Sequence, residues 1–167
     1  MKSLLTTVLF ILVTVFSVNA QKVAPGLASL LNSYYEMKNA LVNSDATTTS
    51  AKAGEFITVR NHVDMKAIPA DKLHTFMSLQ KKLASDAAHI AATKDINKQR
   101  DYFAGFSLNL YSLAKMVQLS GEPVYQAYCP MKKMYWLSDK KSIENPYYGK
   151  VMLTCGNITE TINPRSN

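Results

Sequence analysis

Between residues 25 and 119 apolar side chains recur every three or four positions, in four separate stretches. In 25–43, Leu27, Leu30, Leu31, Tyr34, Met37 and Leu41 fall on one side of a helix turned by about 100° per residue. Pro25 stands at its start, and "NSD" at 43–45 ends it or caps the next. The second stretch, 46–63, keeps Ala53, Phe56, Ile57 and Val63 on one face, although "TTTS" and an interior Gly54 weaken it. A connection broken at Pro69 leads to the third, from Asp71 as expected cap to Thr93, with Leu73, Phe76, Met77, Leu83, Ala84, Ala87, Ile90 and Ala91 as its stripe. Asp95 caps the fourth, 96–119, whose stripe is Ile96, Gln99, Phe103, Phe106, Leu110, Leu113, Ala114 and Val117. "SGEP" at 120–123 stops it.

Four amphipathic segments with short polar links predict a mainly α fold, an up-down antiparallel four-helix bundle. After Pro123 the pattern changes. "VYQAYC" (124–129) alternates and reads as a strand, as do "KVMLTC" (150–155) and "ITETI" (158–162), with "CGN" turning between the last two. This C-terminal β-hairpin and loop segment, 121–167, has too little periodic apolar surface to fold alone. The expectation is that it packs on the bundle of 21–120 as part of one domain.

The first twenty residues change the picture of where the chain works. Lys2 precedes an apolar run from Leu4 to Val18, and Val18 and Ala20 supply the small residues of a signal-peptide cleavage site. The run is too short to be a convincing membrane span. The sequence therefore predicts a signal peptide at 1–20 and a protein secreted across the inner membrane into the periplasm. Without Lys2 the remaining chain carries 18 basic against 12 acidic residues. Outside the cytosol that balance points away from nucleic acid, toward anionic lipid, lipopolysaccharide phosphate or an acidic protein face. The basic residues are dispersed, as on an ordinary solvated surface.

The chemistry concentrates in the tail. It holds both cysteines, Cys129 and Cys155, with Met131, Met134 and Met152 beside them. Thiolate and thioether are soft donors that favour Cu(I) and Ag(I) over oxygen-seeking cations. Pairing of "VYQAYC" with "KVMLTC" would make the two sulfur-bearing stretches neighbours. No C-x-x-C motif or close Cys/His doublet occurs, which excludes zinc-ribbon readings. The alternative is a Cys129–Cys155 disulfide closing 25 residues, worth about 3 kcal/mol in the chain-entropy account, with the methionines as core filler.

His74 and His89 each follow an aspartate by three positions, so local pairs with Asp71 and Asp86 are expected. His89 becomes a further candidate ligand if the tail covers it; His62 gives no signal. Core packing accounts for Tyr34, Tyr35, Tyr147 and Tyr148. Neither a nucleophile elbow nor a paired-carboxylate pattern nor a phosphate-binding glycine loop is present, and no enzyme is expected.

"SDAAHIAATKDINKQRDYFAGFSLNLYSLAK" (85–115), "YCPM" (128–131), "WLS" (136–138), "NPYYG" (145–149) and "MLTCG" (152–156) together resemble the bacterial domain of unknown function 3347 family. "YYEMKNALVNSDA" (34–46) fits its opening helix, and only "KKMY" is shorter than the insert common in relatives. The resemblance implies a stand-alone form of a domain that also occurs on periplasmic adaptors of heavy-metal efflux pumps. It implies metal handling, copper above all, with Cys129, Met131, Met152 and Cys155 as ligands, slight support for His89 and none for Met134. A non-metal reading stands beside it: a disulfide-stapled helical module that docks on an efflux adaptor or other envelope protein.

Overall fold

The computed structural model describes residues 23–165, so the expected signal peptide at 1–20 lies outside the described residues. Four helices come first: α1 (Pro25–Val42), α2 (Ala46–Arg60), α3 (Leu73–Ala91) and α4 (Ile96–Met116). A small antiparallel sheet follows, of β1 (Val124–Cys129), β2 (Met134–Ser138) and β3 (Asn157–Ile162), in the order β2-β1-β3.

The helix starts obey local chemistry. Pro25 opens α1, where its missing N–H costs nothing. Asp45 caps α2 by accepting from Thr48 N–H, and Asp95 caps α4 by accepting from Asn97 and Lys98 N–H. Asp71 does not cap α3. It lies in a 3-10 turn, Ala70–Lys72, that runs straight into the helix, so no extended N-cap residue exists there. Helices α2 and α4 end three residues before the expected limits, at Arg60 and Met116.

Consecutive helices pack side by side, α1 on α2, α2 on α3, α3 on α4. Most of the expected stripe positions are buried; Ile57, Leu73, Ala84, Ala91 and Ile96 are half-buried, and Met77 is exposed while Leu79 takes its place inside. Gln99 is wholly buried, and its amide donates to Ala46 O (2.9 Å) and Thr93 O (2.8 Å), tying the start of α2 to the end of α3. The seam between α1 and α4 is closed differently. Tyr34 of α1 stacks on Phe103 and Phe106 of α4, with ring centroids 5.1 and 5.7 Å apart. Its hydroxyl shares a 2.9 Å hydrogen bond with Ser107 and accepts Leu137 N–H from β2, also at 2.9 Å. One buried side chain thus fastens both helices to the sheet.

The tail differs from expectation in one strand. "KVMLTC" is not extended: Gly149–Met152 is a 3-10 turn, and the third strand is "MYWLS", which pairs with β1. The β-forming character of Val151, Met152 and Leu153 is overridden by anchoring at both ends. Asn145 N–H bonds Leu153 O and Gly149 N–H bonds Asn145 O, while Arg100 of α4 donates to Pro146 O. Gly149 sits at φ +58°, and a Cβ there would lie 2.8 Å from Val42 O and 2.7 Å from Ser44 Oγ. The turn is therefore pressed on the end of α1, with its apolar side chains facing outward.

Docking of the tail also buries Lys38 of α1 completely. Its Nζ lies 3.6 Å from Asp139 and 3.8 Å from Glu144, beyond hydrogen-bonding length. Burial pushes its pKa below the lysine value of 10.5 despite the two carboxylates. The charged form therefore carries a penalty at neutral pH, relieved as pH rises through the lowered pKa toward 10.5. Lys38→Met is expected to raise the unfolding free energy at pH 7 by about 1 kcal/mol. The gain should shrink in urea titrations repeated at higher pH.

Candidate functional site

The two cysteines come together by a route other than the one expected. Cys129 ends β1 with its side chain buried, and a four-residue turn, 130–133, carries the chain into β2. Lys133 closes that turn at φ +56°. Cys155 lies between the 3-10 turn and β3, held from two sides. Its N–H bonds Met152 O at 3.1 Å, and its carbonyl accepts from the Asn145 side chain at 2.6 Å. Gly156 then passes so close to β1 that a Cβ would sit 2.9 Å from Tyr128 O and 2.7 Å from the Trp136 ring. The sheet and the turn, not a pair of adjacent strands, converge the sulfurs.

Cys129 and Cys155 are free thiols that face each other. The Cys155 pKa is raised, first by burial and then by the charge of a Cys129 thiolate and a hydrogen bond between the two groups; Met131 N–H acts the other way. A dithiol in this arrangement gives up its second proton reluctantly, because the new charge forms beside an existing thiolate and is poorly solvated. A bound cation reverses that balance.

Met131 and Met152 border the same pair through their backbones, and their side chains are 63% and 36% exposed. Cys129, Met131, Met152 and Cys155 therefore share one corner of the molecule. Met134 is the cross-strand partner of Cys129, half-buried on the same face of the sheet. The sequence resemblance gave it no weight because it lies in a variable loop; strand register is the signal that includes it.

His89 is exposed on α3, and its ring stacks on Tyr102 of α4 at 5.0 Å. Asp86, its expected partner, instead accepts from Asn109 at 2.7 Å. Among the described residues no three His, Cys, Asp or Glu side chains converge, so His89 does not join the two cysteines. His74 likewise stays on α3, and His62 Nδ1 bonds Thr58 O at 3.0 Å. Tyr34 and Tyr147 are core residues, as packing required. Tyr147 donates to Tyr135 O, and its ring meets Trp136 edge-on at 6.1 Å.

The family described as "Protein of unknown function (DUF3347)" matches residues 30–122, more than half of the chain. The chain belongs to this family. The DUF3347 match spans the bundle from α1 through α4 and stops before the sheet, so every sulfur of the candidate site lies beyond it. No curated protein and no solved structure matches the chain. Among the described residues no helix is long and apolar enough to cross a membrane.

Proposed function

We propose that this DUF3347 chain is an exported, periplasmic protein that binds a soft monovalent cation, Cu(I) or Ag(I), for metal resistance or homeostasis. The observation that carries the reading is the contact between the Cys129 and Cys155 thiol groups, bordered by two exposed methionines. The donor chemistry supports a soft ion. A zinc centre normally uses four nitrogen and sulfur ligands, and no third His, Cys, Asp or Glu joins the cysteines among the described residues. A monovalent soft cation is satisfied by two thiolates, with thioethers as neutral additional donors.

Binding releases both thiol protons: the cation and two thiols give a bis-thiolate complex and two protons. Because burial holds the Cys155 proton, uptake strengthens as pH rises. Lys132, Lys133 and Lys150, which flank the sulfur residues in sequence, offset the net negative charge of the complex. The exposed thioethers of Met131 and Met152 suit passing the ion to another protein, for which a heavy-metal efflux adaptor is the proposed partner.

The same contact favours a second reading. Two facing thiols form a disulfide once an oxidant takes their hydrogens, and the stapled tail would then serve a bundle that docks on an envelope protein without metal. Anaerobic Cu(I) titration of the reduced and the oxidised protein, with intact mass as readout, separates the two. The metal reading expects one Cu(I) bound by the reduced chain and none by a chain two hydrogens lighter. It also expects Cys129→Ser or Cys155→Ser to weaken binding at least about 100-fold, the scale on which ligand-shell losses act. Absence of uptake by the fully reduced protein leaves only the second reading.

A further inference from the structure

We infer that the two turns at 130–133 and 149–154 form a contact surface for an anionic lipid bilayer. This inference goes beyond metal binding; Met131 and Met152 belong to both readings, so its test rests on Val151 and the lysines, which are not metal donors. Residues 150–154, "KVMLT", are all exposed, and Val151 is 85% exposed, the highest value among the large apolar side chains of the described residues. Val151 and Met152 lie in the 3-10 turn and Leu153 follows it, and all three apolar side chains are exposed, Val151 by far the most. Met131 projects from the neighbouring turn, which the Cys155 contacts bring to the same corner. The anchoring of this segment through Asn145 and Gly149 holds those side chains outside the core.

The charge within the two turns themselves is positive. Lys132, Lys133 and Lys150 are exposed, and neither 128–138 nor 146–156 contains an acidic residue. The nearest carboxylates along the chain are Asp139 and Glu144: both face Lys38, Glu144 also faces Lys140, and Glu144 lines the same concavity as Lys150 and Leu153. Lys132 lies 5.6 Å from the Tyr148 ring, a contact that leaves its charge uncompensated. Exposed apolar side chains with Lys132, Lys133 and Lys150 next to them in sequence match a headgroup layer with acyl chains beneath it. A stable protein interface engages roughly 20–30 residues a side, far more than this corner offers. The small size of the corner and its lysines favour an anionic lipid surface as the occupant of these two turns.

The test is co-sedimentation of the purified protein with vesicles of phosphatidylglycerol and phosphatidylethanolamine, against vesicles of phosphatidylcholine alone. Partition into the anionic vesicles is expected, weakened but not abolished by added salt, since the apolar contact is unscreened. Lys132→Glu with Lys133→Glu should lower the partition coefficient at least about twenty-fold, given roughly 1 kcal/mol per surface lysine. Val151→Asp should lower it about ten-fold through lost apolar burial. Lys81→Glu with Lys82→Glu, on the exposed face of α3, controls for bulk charge and should change it much less. All three are surface changes, so circular dichroism should show the same fold. No partition into anionic vesicles overturns the inference and assigns the patch to a protein partner. Equal losses from the α3 pair and the turn pair, or no loss with Val151→Asp, overturn it as well.

Discussion

Gly156→Ala is expected to destabilise the protein by about 3 kcal/mol, combining backbone strain with overpacking. Gly156 adopts φ +152°, and the nearest atoms to an added methyl are the buried Trp136 ring at 2.7 Å and the β1 backbone at Tyr128 at 2.9 Å. Neither is the far end of a flexible side chain, so the segment itself must move. It carries Cys155, and the thiol contact should open with it. Gly54→Ala offers the contrast: this glycine is inside α2 with nothing within 4 Å, and the substitution should stabilise by about 0.5–1 kcal/mol. Urea unfolding of both variants checks the pair. A near-neutral Gly156→Ala would mean that the close approach of 155–157 to the sheet does not hold the tail in place.

Above pH 10 the protein should lose stability at about 1.4 kcal/mol per pH unit for each buried tyrosine that stays protonated. Burial raises the hydroxyls of Tyr34 and Tyr147 well above the usual value of 10, against weaker opposing hydrogen bonds such as the one to Ser107. The sign follows from proton counts. An unfolded tyrosine ionises from pH 10 upward while the folded one keeps its proton, so the stability present below pH 10 is lost above it. With two such groups the loss by pH 11 is about 2–3 kcal/mol. Tyr35 is shifted in the same direction, by burial first and then by Tyr34 and Asp139. Unfolding titrations at pH 8, 10 and 11, with tyrosinate absorbance recorded in parallel, measure the slope. Tyr34→Phe should flatten it while costing about 1–3 kcal/mol at neutral pH, because Leu137 N–H loses its buried acceptor. Ionisation of all tyrosines near pH 10 without unfolding would contradict the packing described here.

The helices were legible because their determinants are local. Three- and four-residue spacing placed Leu30, Met37, Phe103, Phe106 and Leu110 in the core, and Asp45 and Asp95 marked helix starts by reaching the next few N–H groups. The tail was legible only in part. "VYQAYC" and "ITETI" form strands within "VYQAYC" and "NITETI", but "MYWLS" carries no alternation of burial to reveal it, since Trp136, Leu137 and Ser138 are all inside. "KVMLTC" has the composition of a strand and lacks its structure, because distant residues, Arg100 on α4 and Val42 and Ser44 at the end of α1, fix Pro146 and Gly149. Lys38 is buried for the same reason. Its place beside the α1 stripe turns inward only once Asp139 and Glu144 arrive over it from more than a hundred residues away in sequence. The neighbourhood of the cysteines was anticipated from their chemistry, whereas its cause, the turn rather than a strand pair, depended on those same long-range contacts.

X-ray absorption at the copper edge of the reduced, Cu(I)-loaded protein tests the central proposal most directly. The account predicts a first shell of sulfur alone, with two short thiolate distances, one of which disappears in Cys155→Ser, and longer thioether scattering that falls in Met152→Leu. A shell of nitrogen or oxygen donors, or a spectrum unchanged by loss of either cysteine, would contradict it.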